Sequence, residues 1–74
     1  MTAPDRIVDA RGLLCPWPVL RLSRAARELG RAGRILLLAD DPATASEVAQ
    51  LCSERGWKIE DRQDDGAGYL VLVS

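Results

Sequence analysis

The chain has 74 residues, a formal net charge of -1, 47% hydrophobic and 28% charged residues, two cysteines and no histidine. That length is expected to hold one domain, residues 1–74, with a core too small to enclose a deep pocket, so chemistry belongs at the surface. Lack of histidine removes a Cys–His dyad and any histidine metal ligand. Two cysteines as far apart as Cys15 and Cys52 neither close a zinc site nor build a disulfide scaffold, so no metal and no cofactor is expected.

The first element in chain order is "RIVDA" (6–10), a short alternating strand ended by Arg11-Gly12. From Pro18, the apolar residues Val19, Leu22, Ala26 and Leu29 recur on one face of a helix that Gly30 and Gly33 stop. "RILLLAD" (34–40) is a continuous apolar run, the pattern of a buried strand. "DDPATASEVAQLCSERG" reads as a second helix. Asp41 is its expected cap and Pro42 its first position, with Thr44 and Glu47 as a rival capping box; Ala45, Val48, Ala49 and Cys52 share its inner face. "WKIEDR" (57–62) alternates as a half-exposed strand, with Trp57 packing at its start. "QDDGAG" is a turn led by Asp65-Gly66, and "YLVLV" (69–73), apolar on both faces, belongs inside the sheet.

The order is βαβαββ. Right-handed crossovers then put both helices on one face of a mixed four-stranded sheet, an α+β two-layer α/β sandwich. Asp61, Asp64, Asp65 and Gly66 cluster without the spacing of a calcium loop and are read as a solvated turn. "MTAPDRIV" has no apolar stretch of a signal peptide and no run is long enough to span a bilayer, so a cytoplasmic protein with reduced thiols and no membrane partner is expected.

Charge is unevenly spread. Residues 1–34 carry seven arginines against three acidic residues (+4), and residues 35–74 three basic against eight acidic residues (-5). Such a dipole suits an oriented encounter with a charged protein. Direct nucleic-acid binding through the helix 1 arginines is a weaker reading, because it calls for a basic domain.

The chemistry centres on "GLLCPWPVL" (12–20). Cys15 lies between the end of strand 1 and the start of helix 1, where unpaired N–H groups and the helix dipole favour a thiolate. Arg11 and Arg21 are close enough in sequence to add positive potential. Pro16 and Pro18 bias Cys15 and Trp17 away from helical angles, which predicts a stiff, extended pedestal for the thiol. Trp17, between the prolines, is a partner contact, and Arg21 and Arg24 on the exposed ridge of helix 1 steer docking. Asp40 is expected to stand beside the Cys15 loop and order it or limit its reactivity, because two βαβ units share one sheet edge. Cys52, on an apolar helical face, is read as core. What remains is a lone thiol on a small scaffold, the minimum for a thiol or persulfide relay; the bland alternative is that Cys15 is a small buried apolar residue.

"DARGLLCPWPVL" resembles the Cys-Pro-X-Pro signature of the TusA (SirA-like) sulfur-carrier family, and "ADDPATASEVAQLC" resembles its second motif; the likeness runs from about Ile7 to Val73. Trp17 stands where the family often has Glu, and Glu47-Val48 where Asp-Ile is frequent. The resemblance implies the βαβαββ fold and a sulfurtransferase role in which Cys15 takes sulfane sulfur as a persulfide. The implied donor is a cysteine desulfurase or rhodanese-type protein, and the sulfur passes to a downstream acceptor protein in tRNA thiolation, molybdenum-cofactor metabolism or sulfur oxidation. The competing reading is a regulatory or thiol-redox adaptor of the same fold, with no sulfur passing through.

Overall fold

The structure, a computed structural model, describes residues 3–62 and 68–73. The elements follow the expected order: β1 (Arg6–Asp9), α1 (Trp17–Leu29), β2 (Gly33–Leu38), α2 (Thr44–Arg55), β3 (Lys58–Arg62) and β4 (Gly68–Val73). They form one four-stranded mixed sheet in the order β1-β2-β4-β3, with β1 parallel to β2 and β4 antiparallel to both of its neighbours. β4 is interior, as its two-sided apolar sequence requires, and β3, broken by a register shift between Ile59 and Asp61, lies at the edge. Of the turn expected at "QDDGAG", residues 63–67, including Asp64, Asp65 and Gly66, lie outside the described residues.

The alternation of each strand builds the core. Ile35 and Leu37 of β2 and Tyr69, Val71 and Val73 of β4 point at the helices, where they meet Leu22 and Ala25 of α1 and Val48, Leu51 and Cys52 of α2. Their burial removes apolar surface from water, the main favourable contribution to folding. Two details of α2 differ from expectation. Ala49 is exposed and Leu51 is buried in its place, because the buried stripe runs Thr44–Val48–Leu51–Cys52. The helix also begins at Thr44 rather than at Asp41-Pro42, with Ala43 at the N-cap position and no side-chain cap. Thr44 faces the core at 1% exposure with its hydroxyl unpartnered among the described residues, so it cannot serve the expected capping box. Trp57 packs against the core as expected, with the Arg55 guanidinium 5.7 Å from its ring.

Both helices end on left-handed glycines, Gly30 and Gly56, whose N–H groups return to Ala26 and Cys52. The crossovers bring the C-terminal ends of β1 and β2 and the N-terminal ends of both helices to one sheet edge. The residues from 10 to 16 and from 39 to 43 are therefore neighbours.

Leu22 is fully buried between the layers. Leu22→Ala is expected to lower unfolding stability by about 2–5 kcal/mol in a denaturant titration followed by circular dichroism. Thr44→Val keeps shape and removes a buried hydroxyl, a group that costs about 1–3 kcal/mol when left without a partner, so the same titration should give an unchanged or higher midpoint.

Candidate functional site

The Cys15 loop is held by backbone amides and two carboxylates. Arg11-Gly12 turns the chain out of β1. Gly12 sits at φ 83 with open space where a Cβ would stand, so the backbone angle is what demands glycine here. Its N–H donates to Asp40 Oδ1 at 3.0 Å, and the Cys15 N–H donates to Asp41 Oδ2 at 2.6 Å. Asp41 also accepts from Ala43 N–H through Oδ1 at 3.1 Å and from Thr44 N–H through its carbonyl at 3.0 Å. One residue thus ties the entrance of α2 to the backbone of Cys15.

Asp40 stands beside the Cys15 loop, where its carboxylate accepts the Gly12 N–H. Asp41, expected only to cap α2, carries the more direct contact. Sequence reasoning missed that role; the signal available was the "DDP" pair itself, two carboxylates where one cap would do.

The pedestal is not the extended lead-in that the prolines suggested. Leu14 to Trp17 form a tight turn closed by Trp17 N–H to Leu14 C=O at 2.9 Å, with the Cys15–Pro16 bond cis and Pro16 at the N-cap of α1. Helix α1 begins at Trp17, with Pro18 buried in its first turn. Cys15 is half-buried, while Leu14, Trp17 and Leu20 around it are 72%, 58% and 49% exposed. Trp17 is therefore open to solvent two residues from the thiol.

The electrostatics at Cys15 reverse expectation. The thiol is pushed up from its ordinary range, first by desolvation, then by a hydrogen bond and charge from Glu47 and by the charge of Asp41. The chain explains why the helix entrance does not prevail. Pro16 and Pro18 have no N–H, and the Trp17 N–H is already given to Leu14, so α1 presents few free donors to an anion at Cys15. Arg11 pairs with Asp9 through Nε and Nη2 at 3.0 and 2.9 Å, holding the Asp9 carboxyl down to about 2. Arg24 pairs with Glu28, and exposed Arg21 lies on the next turn of α1 after Trp17. Glu47 is the second residue that sequence reading did not assign to the site.

Asp41 is itself held below the usual carboxylate range, mainly by accepting from Cys15 N–H and then Ala43 N–H. A depressed carboxyl contributes stability above its unfolded value near 3.9, and that contribution is lost as pH falls through the lower folded value. The loop tether is thus complete at neutral pH. Cys52 is 4% exposed, its thiol raised by burial alone, and both cysteines are free. Among the described residues no cluster of His, Cys, Asp and Glu could hold a metal ion, and no helix is long and apolar enough to cross a membrane.

Because alkylation follows thiolate, iodoacetamide should modify Cys15 with an inflection above that of free cysteine. Glu47→Gln should move the inflection to lower pH by removing an opposing charge. Asp40→Asn, which keeps a hydrogen-bond acceptor near Gly12, should move it less. An inflection below that of free cysteine, read by mass spectrometry across a pH series, would contradict the carboxylate account.

The family model described as Sulfurtransferase TusA matches residues 6–74. A sulfur carrier protein TusA of Pseudomonas putida strain F1 is 36% identical over 70 residues, covering 95% of this chain and 88% of that protein. One from Pseudomonas paraeruginosa is 37% identical over 74 residues, covering 99% and 94%. Among solved structures, a SirA-like protein from Desulfitobacterium hafniense superposes with a TM-score of 0.77 at 28% identity, covering 93% of this chain and 96% of that one.

Proposed function

Since this chain belongs to the TusA family of sulfur carriers, we propose that it relays sulfane sulfur as a persulfide on Cys15, as a single-domain cytoplasmic carrier. The observation that carries this reading is the placement of Cys15: half-buried in a turn whose backbone Asp41 holds and flanked by exposed Leu14 and Trp17, while the other cysteine is in the core.

In the accepting step, Cys15 releases its proton to solvent and the thiolate attacks the terminal sulfur of a donor cysteine persulfide. A bond forms between the Cys15 sulfur and that sulfur, the donor's sulfur–sulfur bond breaks, and the donor cysteine leaves as a thiolate. In the delivering step an acceptor thiolate attacks the same terminal sulfur, and Cys15 leaves as the thiolate. Nothing is oxidised or reduced overall, so no cofactor enters.

A raised thiol fits a carrier in two ways. At rest Cys15 is mostly protonated and spared from stray electrophiles. Once loaded, a more basic leaving thiolate departs more slowly, so the sulfur stays until an acceptor is in place. Activation then falls to the docked partner, whose cations offset Glu47 and Asp41. The donor is a cysteine desulfurase or rhodanese-type protein, and the acceptor serves tRNA thiolation, molybdenum-cofactor metabolism or sulfur oxidation. Arg11, Pro16, Trp17, Pro18, Arg21, Arg24 and Asp40 shape or present the docking surface around Cys15.

Intact-mass analysis after incubation with a cysteine desulfurase and cysteine tests the proposal. Wild type and Cys52→Ser should each gain one sulfur atom, removable by reductant, and Cys15→Ser none. Sulfur on Cys52, or none on either cysteine, would end the Cys15 relay, and a mixed disulfide at Cys15 with no added sulfur would favour a thiol-redox adaptor instead.

A further inference from the structure

A trough of about 530 Å³ runs between β1 and α1. One wall is all four residues of β1, and the other is the helical stripe Trp17, Leu20, Arg21, Arg24, Ala25 and Glu28. Three of the four large apolar side chains that stand exposed among the described residues, Ile7, Trp17 and Leu20, line it, and the fourth, Leu14, precedes Cys15. Ile7, paired with Leu36, faces the helix-free side of the sheet, while Trp17 and Leu20 stand on the α1 wall, so exposed apolar surface borders the β1 edge on both of its sides.

Two further features define what the trough takes. β1 is an edge strand: it pairs with β2 alone, so its outer backbone N–H and C=O groups have no strand partner among the described residues. Such an edge is a template for a further strand. The charges on the walls are unbalanced toward the positive. Arg6 and Arg24 share the single carboxylate of Glu28, at 2.8 and 3.3 Å, and Asp9 is engaged by Arg11. Arg21 has no acidic partner among the described residues. The Arg6–Glu28 pair bridges β1 and α1 at one end; Trp17, two residues past Cys15, marks the other.

We propose that the trough receives an extended segment of a partner protein that alternates apolar and acidic residues, added as a further strand on the open edge of β1. Main-chain pairing with β1 supplies affinity; on the added strand, apolar side chains pack beside Ile7 on the helix-free face, and the alternating carboxylates face α1 and reach Arg21 and Arg24. The segment's continuation past Trp17 is then delivered beside Cys15. That the partner is a sulfur donor or acceptor rests on the carrier reading above; the trough and its strand-like occupant do not.

The probe is the capped peptide acetyl-Val-Glu-Val-Glu-Val-Glu-amide, titrated to millimolar concentration into the isotope-labelled full chain. Amide shifts should concentrate on residues 6–9 and on the Trp17–Glu28 stripe, and the β1 amides should gain protection from hydrogen exchange. Arg21→Glu should weaken binding by on the order of tenfold, as expected for one lost charge-assisted hydrogen bond. The valine–lysine counterpart should not bind, nor should the valine–glutamate peptide with its alternate amides N-methylated. Equal binding of the lysine peptide, indifference to N-methylation, shifts centred elsewhere or no shifts at all would overturn the proposal. So would concentration-dependent self-association through β1 without peptide, which would make a second copy the occupant. Cys15→Ser separates the two readings: it should bind the peptide as wild type does while gaining no sulfur. Peptide binding with no sulfur uptake by wild type would leave the trough and end the relay, and the reverse result would do the opposite.

Discussion

The hydrogen bond from Cys15 N–H to Asp41 Oδ2, at 2.6 Å, is the contact on which the site depends. It crosses between the two β–α connections of the sheet, and its neighbour from Gly12 N–H to Asp40 Oδ1 does the same at 3.0 Å. Backbone amides in a surface loop would otherwise bind water and leave the loop free to move. Here two consecutive carboxylates, both rooted just past β2, take them instead. Asp41 adds the N–H groups of Ala43 and Thr44 to the same cluster, so the first turn of α2 is registered to the thiol. The sheet is what makes this affordable: parallel pairing of β1 with β2, from Arg6↔Ile35 to Asp9↔Leu38, lets the two connections leave at the same height.

Holding the loop with carboxylates has an electrostatic consequence. Asp41 and Glu47 bring negative charge to a group that must become an anion to react, and desolvation acts in the same direction. The prolines sharpen the effect by removing the N–H groups that a helix start would otherwise aim at the sulfur. The same residues therefore give position and restraint together. In the proposed relay, a thiol that neither reacts freely nor leaves readily is an advantage, because timing then belongs to the docked complex.

The surface follows the same division. The core side of the sheet is closed by Leu22, Ala25, Val48 and Leu51, while the outward stripe of α1 keeps Trp17 and Leu20 in solvent beside the β1 edge. A core of this size leaves no deep enclosed pocket, so what the surface offers near Cys15 is a trough and an exposed ring rather than a cavity around it.

The local pattern was sufficient for everything whose cause is local. Apolar periodicity placed two helices and four strands within a few residues of their observed bounds, the two-sided run of β4 put it inside the sheet, and the order βαβαββ implied one sheet with both helices on one face. The position of Cys15 before a helix, against Cys52 on an apolar stripe, separated the half-buried thiol from the buried one. The start of α2, the partner of the Asp41 carboxylate, the loss of Ala49 from the core and the direction in which the Cys15 thiol is shifted were decided by tertiary structure. The site features among them depend on distance between segments far apart in the chain: one oxygen of Asp41 accepts the Cys15 amide while the other stays with Ala43, and Glu47 acts on the sulfur because the crossovers bring α2 to the same sheet edge. Propensity and capping rules weigh only near neighbours in sequence, whereas a charge acts on whatever the fold places beside it.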